Sequence, residues 1–177
     1  SEAKNAFGND EIYVEEFISR ARHIEVQVVS DGKGGVAHLW DRECSVQRRF
    51  QKVVEIAPVP NLSDDIRKEI IDASISLARH VGYSNIGTFE FLVRVSDSGE
   101  AGSFAFIETN ARLQVEHTVT EVVTGVDVVQ TQIQLAQGES LSDIGLDSQE
   151  TINPRGFAIQ TRVNMEILSP SGNLRPS

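Results

Sequence analysis

The sequence predicts an α+β fold, an antiparallel sheet with helices packed on one face, and three observations carry that expectation. Alternating runs come in pairs joined by turn-rich stretches, residues 22–30 with 36–40 and 87–96 with 104–110. Two segments, 63–82 and 127–138, place apolar residues at helical spacing between cap signals. Strands and helices do not alternate as in a βαβ unit, so the sheet is expected to be built from hairpins.

The elements follow in order. Residues 9–18 read as a short amphipathic start and then a strand, Val14-Glu15-Glu16-Phe17-Ile18. In 22–30, Ile24, Val26 and Val28 point inward, with His23, Glu25 and Gln27 on the other face. The run Asp31-Gly-Lys-Gly-Gly35 is a hairpin turn into 36–40; no Gly-Lys-Ser/Thr follows, so it is not a phosphate-binding Walker loop. After Trp40, Arg42, Arg48, Arg49 and Lys52 form a cation cluster, open to reading as a solvated loop or as a phosphate neutraliser. Ser63 caps a helix with Asp64 and Asp65 in its first turn, Ile66, Ile70, Ile71, Leu77 and Ala78 on one face, and Gly82 as its stop.

The central hairpin joins 87–96 to 104–110 through Asp97-Ser-Gly99-Glu-Ala-Gly102. Folded symmetrically about Gly99, it sets Thr88 opposite Asn110, Glu90 opposite Glu108, and Phe89, Phe91 and Val93 opposite Thr109, Ile107 and Ala105 on the core side. Phe104, Phe106, Glu108 and Asn110 then share the other face. Two carboxylates so placed, with Cβ atoms about 4.5–5.5 Å apart, repel unless a proton or cation lies between them. Hard oxygen donors suit magnesium or manganese, which normally complete their shell with water and nucleotide phosphates. Polar groups then recur at every second position through Arg112, Gln114 and Glu116. The run Thr118-Val-Thr-Glu-Val-Val-Thr continues to Gly125, and Asp127 caps a second amphipathic helix ending at Gly138, with Val129, Ile133 and Ala136 on its apolar face. Residues 140–153 read as a solvated, acidic connection, and 155–164 as a last strand with Ala158, Gln160, Arg162 and Asn164 on one face.

Composition narrows the function. The chain has 177 residues, 40% of them hydrophobic, enough for one sizeable core and a single domain. A net charge of −10 argues against nucleic acid as a partner, and any bound anion must be held by a local cluster. Cys44 is the single cysteine, which rules out an internal disulfide and leaves a packing role. No apolar run approaches the roughly 20 residues of a membrane span, so a cytoplasmic or mitochondrial-matrix protein without a membrane partner is expected. The chain opens without Met and stops after a strand-like segment, as a piece of a longer protein would.

Three blocks, Gln47-Arg-Arg-Phe-Gln-Lys-Val-Val-Glu55, Glu90-Phe-Leu and Phe106-Ile-Glu-Thr-Asn-Ala-Arg-Leu-Gln-Val-Glu-His-Thr-Val-Thr-Glu121, resemble the signature blocks of biotin carboxylases of the ATP-grasp superfamily. The likeness runs from Tyr13 to Asn164 in the family's order. It implies the C-terminal ATP-grasp subdomain: residues 1–20 as hinge and entry strand, 21–138 as the metal, nucleotide and bicarbonate core, and 139–177 as the connection and catalytic-arginine strand.

Each role carries over on matching positions. Glu15, Glu16, Phe17 and Ile18 match the adenine-contacting hinge, and His23 and Gln47 the ribose side. Glu90 and Glu108, with Asn110 close by, match the metal ligands, and Glu116 the general base on bicarbonate. Arg112, Gln114, the backbone of Val115 and Lys52 match the groups fixing that anion, and Arg162 the cation beside the biotin enolate. Phe50 stands where bacterial members often carry His, a departure that touches a ribose contact.

The resemblance further implies ATP and bicarbonate as substrates, biotin on a carboxyl carrier domain as acceptor, and a carboxyltransferase and the rest of the biotin carboxylase domain as partners. Without the glycine-rich lid, the 177 residues are expected to fold but not to carboxylate biotin. Another ATP-grasp ligase, such as a carbamoyl-phosphate synthetase, and a non-catalytic nucleotide-binding module are the alternative readings.

Overall fold

The spine of the molecule is β1 (Ala21–Asp31), whose residues 24–30 are all buried, because the strand is covered on both faces. It pairs antiparallel with β2 (Val36–Arg48) on one side and β4 (Ser84–Val95) on the other. β3 (Gln51–Ala57), β5 (Ala101–Asn110) and β6 (Ala158–Thr161) complete one six-stranded antiparallel sheet in the order β5-β4-β1-β2-β3-β6. β7 (Glu166–Leu168) and β8 (Leu174–Pro176) form a separate two-stranded ribbon. This computed structural model describes residues 4–5, 8–12, 14–96, 99, 101–168, 170 and 174–176. Parts of two expectations, Tyr13 at the entry and Asp97, Ser98 and Glu100 in the hairpin turn, lie outside the described residues.

The α+β class is as the sequence predicts, and alternation along β1 explains how the layers divide. Ile24, Val26 and Val28 pack with Phe89, Phe91 and Val93 of β4 beneath α1 (Asp64–His80), which contributes Ile70, Ile71 and Ala78. Ser63 caps α1 by accepting from the Ile66 N–H, and Asp64 and Asp65 sit at the positive end of its dipole. Val29 and Ile86 point the other way, into a second cluster with Val128 and Leu135 of α3 (Val128–Ala136). Between them in sequence, α2 (His117–Thr124) ends at Gly125 in the left-handed conformation, a helix stop that glycine adopts without steric cost.

Several expectations change in detail. Residues 14–18 form no strand; Val14 and Phe17 are exposed, and the chain reaches the sheet only at Ala21. The cation cluster after Trp40 is neither a loop nor a cluster. β2 continues to Arg48 and turns into β3 at Arg49 and Phe50, both with positive φ, which scatters the four side chains. α3 buries Val128, Thr131 and Leu135, whereas Val129, Ile133 and Ala136 face outward, because the helix meets the sheet one step around from the predicted face. The 140–153 connection is not wholly solvated, since Leu141, Leu146 and Ile152 are buried in the second cluster. The last strand is confined to Ala158–Thr161.

The central hairpin keeps its predicted register at Thr88–Asn110, Phe89–Thr109 and Glu90–Glu108 and then slips. Phe91 pairs with Phe106 and Val93 with Phe104, not with Ile107 and Ala105. A bulge at Ile107 absorbs one residue and reverses the faces on either side of it. Phe104 thereby packs against the core cluster, and Phe106, 46% exposed, lies at its edge, at ring-centroid distances of 5.6 and 5.7 Å from Phe91. The ring contacts this gains with Phe91, on the order of 0.5–1.5 kcal/mol per ring pair beyond area alone, favour the bulge over strict alternation.

One buried group makes the fold sensitive to acid. Burial pushes the His38 imidazole on β2 down to about 4, against a smaller upward pull from Asp72. The unfolded chain therefore binds the extra proton first, and stability falls as pH drops from about 6.5 to about 4, by up to ~3 kcal/mol. His38→Asn keeps an acceptor near Nδ1, which takes the Trp40 N–H at 3.2 Å, and cannot titrate. The difference between wild-type and variant urea stabilities should grow across that window; parallel pH profiles would contradict it.

Candidate active site

The face of β1 opposite α1 carries a row of charges that runs across four strands. Arg42 of β2 lies beside Glu25 of β1, Glu25 beside Glu90 of β4, and Glu90 beside Glu108 of β5. The next row holds Gln27, Thr88 and Asn110. Three adjacent carboxylates on neighbouring strands would be unstable alone, and the surrounding cations explain how the sheet tolerates them.

Arg42 is fully buried at one end of the row. Its Nε donates to Glu25 Oε1 at 2.5 Å, Nη1 to Gln27 Oε1 at 2.9 Å and Thr120 Oγ1 at 2.8 Å, and Nη2 to Thr88 Oγ1 at 3.2 Å. Burial opposes its charge, but Glu25 more than offsets this and raises its pKa. Lys52 stands over the centre, with Nζ 2.5 Å from Glu25, 2.9 Å from Glu90 and 2.7 Å from Glu116. Burial works against the ammonium, yet Glu25 and Glu116 hold its pKa well above the ordinary lysine value.

Glu90 is the most connected acid. His23 Nε2 lies 2.6 Å from Oε2, and the Gln47 amide donates to Nδ1 of the same ring at 2.9 Å, which leaves Nε2–H to face the carboxylate. Asn110 and Gln114 donate to Oε1 at 2.9 and 3.0 Å. Burial would raise its pKa, but the His23 hydrogen bond, the Lys52 charge and the Gln114 bond prevail and hold it far below the usual carboxylate range. The Asn110 amide also donates to Glu108 Oε1 at 2.9 Å and so sits between the two carboxylates. That is where a hard cation would relieve the same repulsion, and the all-oxygen donor set fits magnesium or manganese.

Glu116 closes the far side. Its carboxylate, almost fully buried, accepts from Lys52 and from Arg162 Nη2 at 3.0 Å. Burial pushes its pKa up, and Lys52 pulls it below the ordinary value. Arg162, just past β6, is also held by Glu55 of β3, with Nε 2.7 Å from Oε1.

One open cleft of about 670 Å³ lies over this network, with Glu25, Arg42 and Glu55 behind its lining. Eleven of the fifteen residues singled out in the sequence line it: His23, Gln47, Lys52, Glu90, Glu108, Asn110, Arg112, Gln114, Val115, Glu116 and Arg162. Arg112 donates to Asn110 Oδ1 at 3.1 Å rather than reaching Glu116, and Gln114 turns toward Glu90. Glu15, Glu16, Phe17 and Ile18 do not border it; Glu16 pairs with Arg94 at 2.7 Å. Phe50, 99% exposed, stands at the rim.

Four participants escaped the sequence reading: Glu25, Gln27, Arg42 and Glu55. Glu25 and Gln27 alternate with His23, which was the available signal; Arg42 and Glu55 needed the strand pairing. Cys44 is buried and its thiol is pushed up by that burial, consistent with packing.

A profile described as carbamoyl-phosphate synthase L chain, ATP binding domain, matches residues 1–144. The chain belongs to this ATP-binding domain family. Within the family it is similar to carboxylases. Pyruvate carboxylase 1 of Caenorhabditis elegans is 55% identical over 176 residues, 99% of this chain and 14% of that protein. Rhizobium etli pyruvate carboxylase superposes with a TM-score of 0.84 at 48% identity, over 92% of this chain and 14% of that one. The biotin carboxylase domain of Hydrogenobacter thermophilus 2-oxoglutarate carboxylase, solved with MgADP, ADP and bicarbonate, gives 0.82 at 44% identity, over 93% of this chain and 34% of that one. The biotin carboxylase resemblance read from the signature blocks is thus borne out, and the chain spans about one seventh of the pyruvate carboxylases it matches.

Proposed function

We propose that this chain is the part of a biotin carboxylase in which bicarbonate is activated with ATP and its CO₂ passed, through carboxyphosphate, to a ureido nitrogen of biotin. The observation that carries the reading is the meeting, in one cleft, of a carboxylate pair suited to a metal with a buried carboxylate gripped by two cations. Biotin on a carrier domain is the acceptor, and a carboxyltransferase the onward partner. Among the described residues no helix is long and apolar enough to cross a membrane.

Glu90, Glu108 and Asn110 would hold magnesium or manganese, which supplies neutralisation of phosphate charge. Glu116 is the base. Both of its oxygens are occupied by cations, which keeps it a poor proton acceptor until an anion arrives. Bicarbonate competes for Lys52 and Arg162, and as it draws their charge away the basicity of Glu116 rises beside the proton to be taken. Arg112 and the Gln114–Val115 segment border the same space and orient the anion. Arg162 then faces the oxygen of the biotin enolate, where a cation acts chiefly in the transition state.

The test is ATP cleavage by the full-length chain that carries this segment. Cleavage should require bicarbonate and rise with free biotin. Bicarbonate-dependent cleavage that yields carbamoyl phosphate with ammonia and ignores biotin would instead support the carbamoyl-phosphate synthetase reading. Nucleotide binding without cleavage would leave a binding module.

A second expectation separates metal binding from folding. Glu108→Gln removes one carboxylate of the opposed pair and should weaken magnesium-nucleotide binding about tenfold or more. The metal-free melting temperature should hold or rise, because like-charge repulsion is relieved. A large drop in that melting temperature would show Glu108 to be structural.

A further inference from the structure

We propose that Glu55 is a positioning residue for the step at biotin: it fixes the Arg162 guanidinium from behind and governs how that cation meets the acceptor without touching it. This rests on the biotin carboxylase reading above. Glu55 lies on β3, opposite Gln160 of β6, and is fully buried; it does not border the cleft. Among the described residues its only contacts with a cation are to Arg162, through a single oxygen, Oε1, which lies 2.7 Å from Nε and 2.6 Å from Nη2.

The backbone of Arg162 is pinned as well, its N–H donating to Val53 O at 2.9 Å. The guanidinium therefore sits between a buried carboxylate behind it and Glu116 in front, 3.0 Å from Nη2. With Glu116 as the only anion, the fork would be free to close fully onto the base. Glu55 shares the charge and sets the plane of the fork, so that the base and the biotin-facing cation stay distinct groups.

The second oxygen of Glu55 decides between this role and a structural one. Oε2 is buried and has no hydrogen-bond partner among the described residues. A desolvated carboxylate with an idle oxygen is a poor way to hold two strands together, and an apolar side chain of similar volume would serve the sheet better. The fold gives no reason for an acid at this position. The cation beside it does.

The experiment compares Glu55→Gln, with Glu55→Met in parallel as the apolar isostere, against the wild-type full-length chain. Biotin carboxylation and bicarbonate-dependent ATP cleavage are measured side by side. Carboxylation should fall about tenfold or more and ATP cleavage by a clearly smaller factor, since Arg162 also meets bicarbonate while Lys52 still holds the base, so that more ATP is cleaved per carboxybiotin formed. Melting temperatures should hold or rise. Because Glu55 acts through Arg162, Glu55→Gln combined with Arg162→Met should be no slower than Arg162→Met alone. Proportional loss of both activities, no loss in either, or losses that multiply would each overturn the proposal. A separate readout follows the rate at which phenylglyoxal modifies Arg162, mapped by peptide mass. It should rise several-fold in Glu55→Gln, and an unchanged rate overturns the proposal whatever the reaction. If the wild-type chain makes no carboxybiotin, the reading of the reaction fails, and protection of Arg162 still decides whether Glu55 holds it.

Discussion

Arg42→Met should destabilise the fold by about 3–5 kcal/mol, the range for breaking a buried ion pair by removing one partner. Arg42 is fully buried, and its guanidinium joins Glu25, Gln27, Thr88 and Thr120, drawn from two further strands and a helix. Methionine fills much of the volume but leaves those acceptors without a donor in a dry interior. Glu25 keeps Lys52 at 2.5 Å, so the loss should stop short of that for a wholly unpaired charge. Adding Glu25→Gln should restore part of the stability by removing the charge that was left behind. Urea denaturation at constant m-value measures both effects. A loss below about 1 kcal/mol for the single variant would place Arg42 among surface-like ion pairs, contrary to its burial.

Glu116→Gln in the full-length chain should lower bicarbonate-dependent ATP cleavage by about two to four orders of magnitude, the usual contribution of a positioned general base. Nucleotide affinity should stay within about threefold of wild type, because Glu116 touches Lys52 and Arg162 and none of the groups argued to hold the metal. The glutamine still accepts one hydrogen bond from either cation, so the cleft keeps its shape while losing its proton acceptor. Equal losses in cleavage and in nucleotide binding would mark Glu116 as an organiser of the cation pair instead of a base.

Both expectations depend on groups that the sequence revealed unequally. Glu90, Glu108 and Asn110 were legible because alternation and a short hairpin bring them together, whereas Glu116 lies beyond the end of β5, in the turn before α2, and took its role from the family resemblance. Lys52 and Arg162 could be named only through the family resemblance, since their partners are distant in sequence. Arg42 was hidden because β2 looked finished at Trp40. That residue takes a positive φ, and the β1–β2 register shifts beside it, so the pairing of Glu25 with Arg42 follows from an irregularity no periodicity announces. The outward face of α3 was missed for another reason. Val128 and Leu135 and Val129 and Ile133 make equally apolar stripes, and only docking against Val29 and Ile86 chooses between them. The hydrophobic rows of β1 and α1 had no such rival and were read correctly.

The spare residue at Ile107 also changes what a gap would mean in the central hairpin. Deletions are usually absorbed by loops, but here the strand itself carries one position more than its partner requires. Loss of Ile107 would return the ladder to strict alternation, with Phe106 still against the Phe91 ring and Glu108 still opposite Glu90. Loss of Thr109, two positions on, would turn Asn110 away from the two carboxylates it now bridges. Two single-residue deletions on the same strand would thus have opposite fates, one tolerated and one fatal to the arrangement proposed to hold the metal. Natural length variation in this segment is then expected between Phe106 and Glu108 and nowhere else along the half of β5 that carries Glu108 and Asn110.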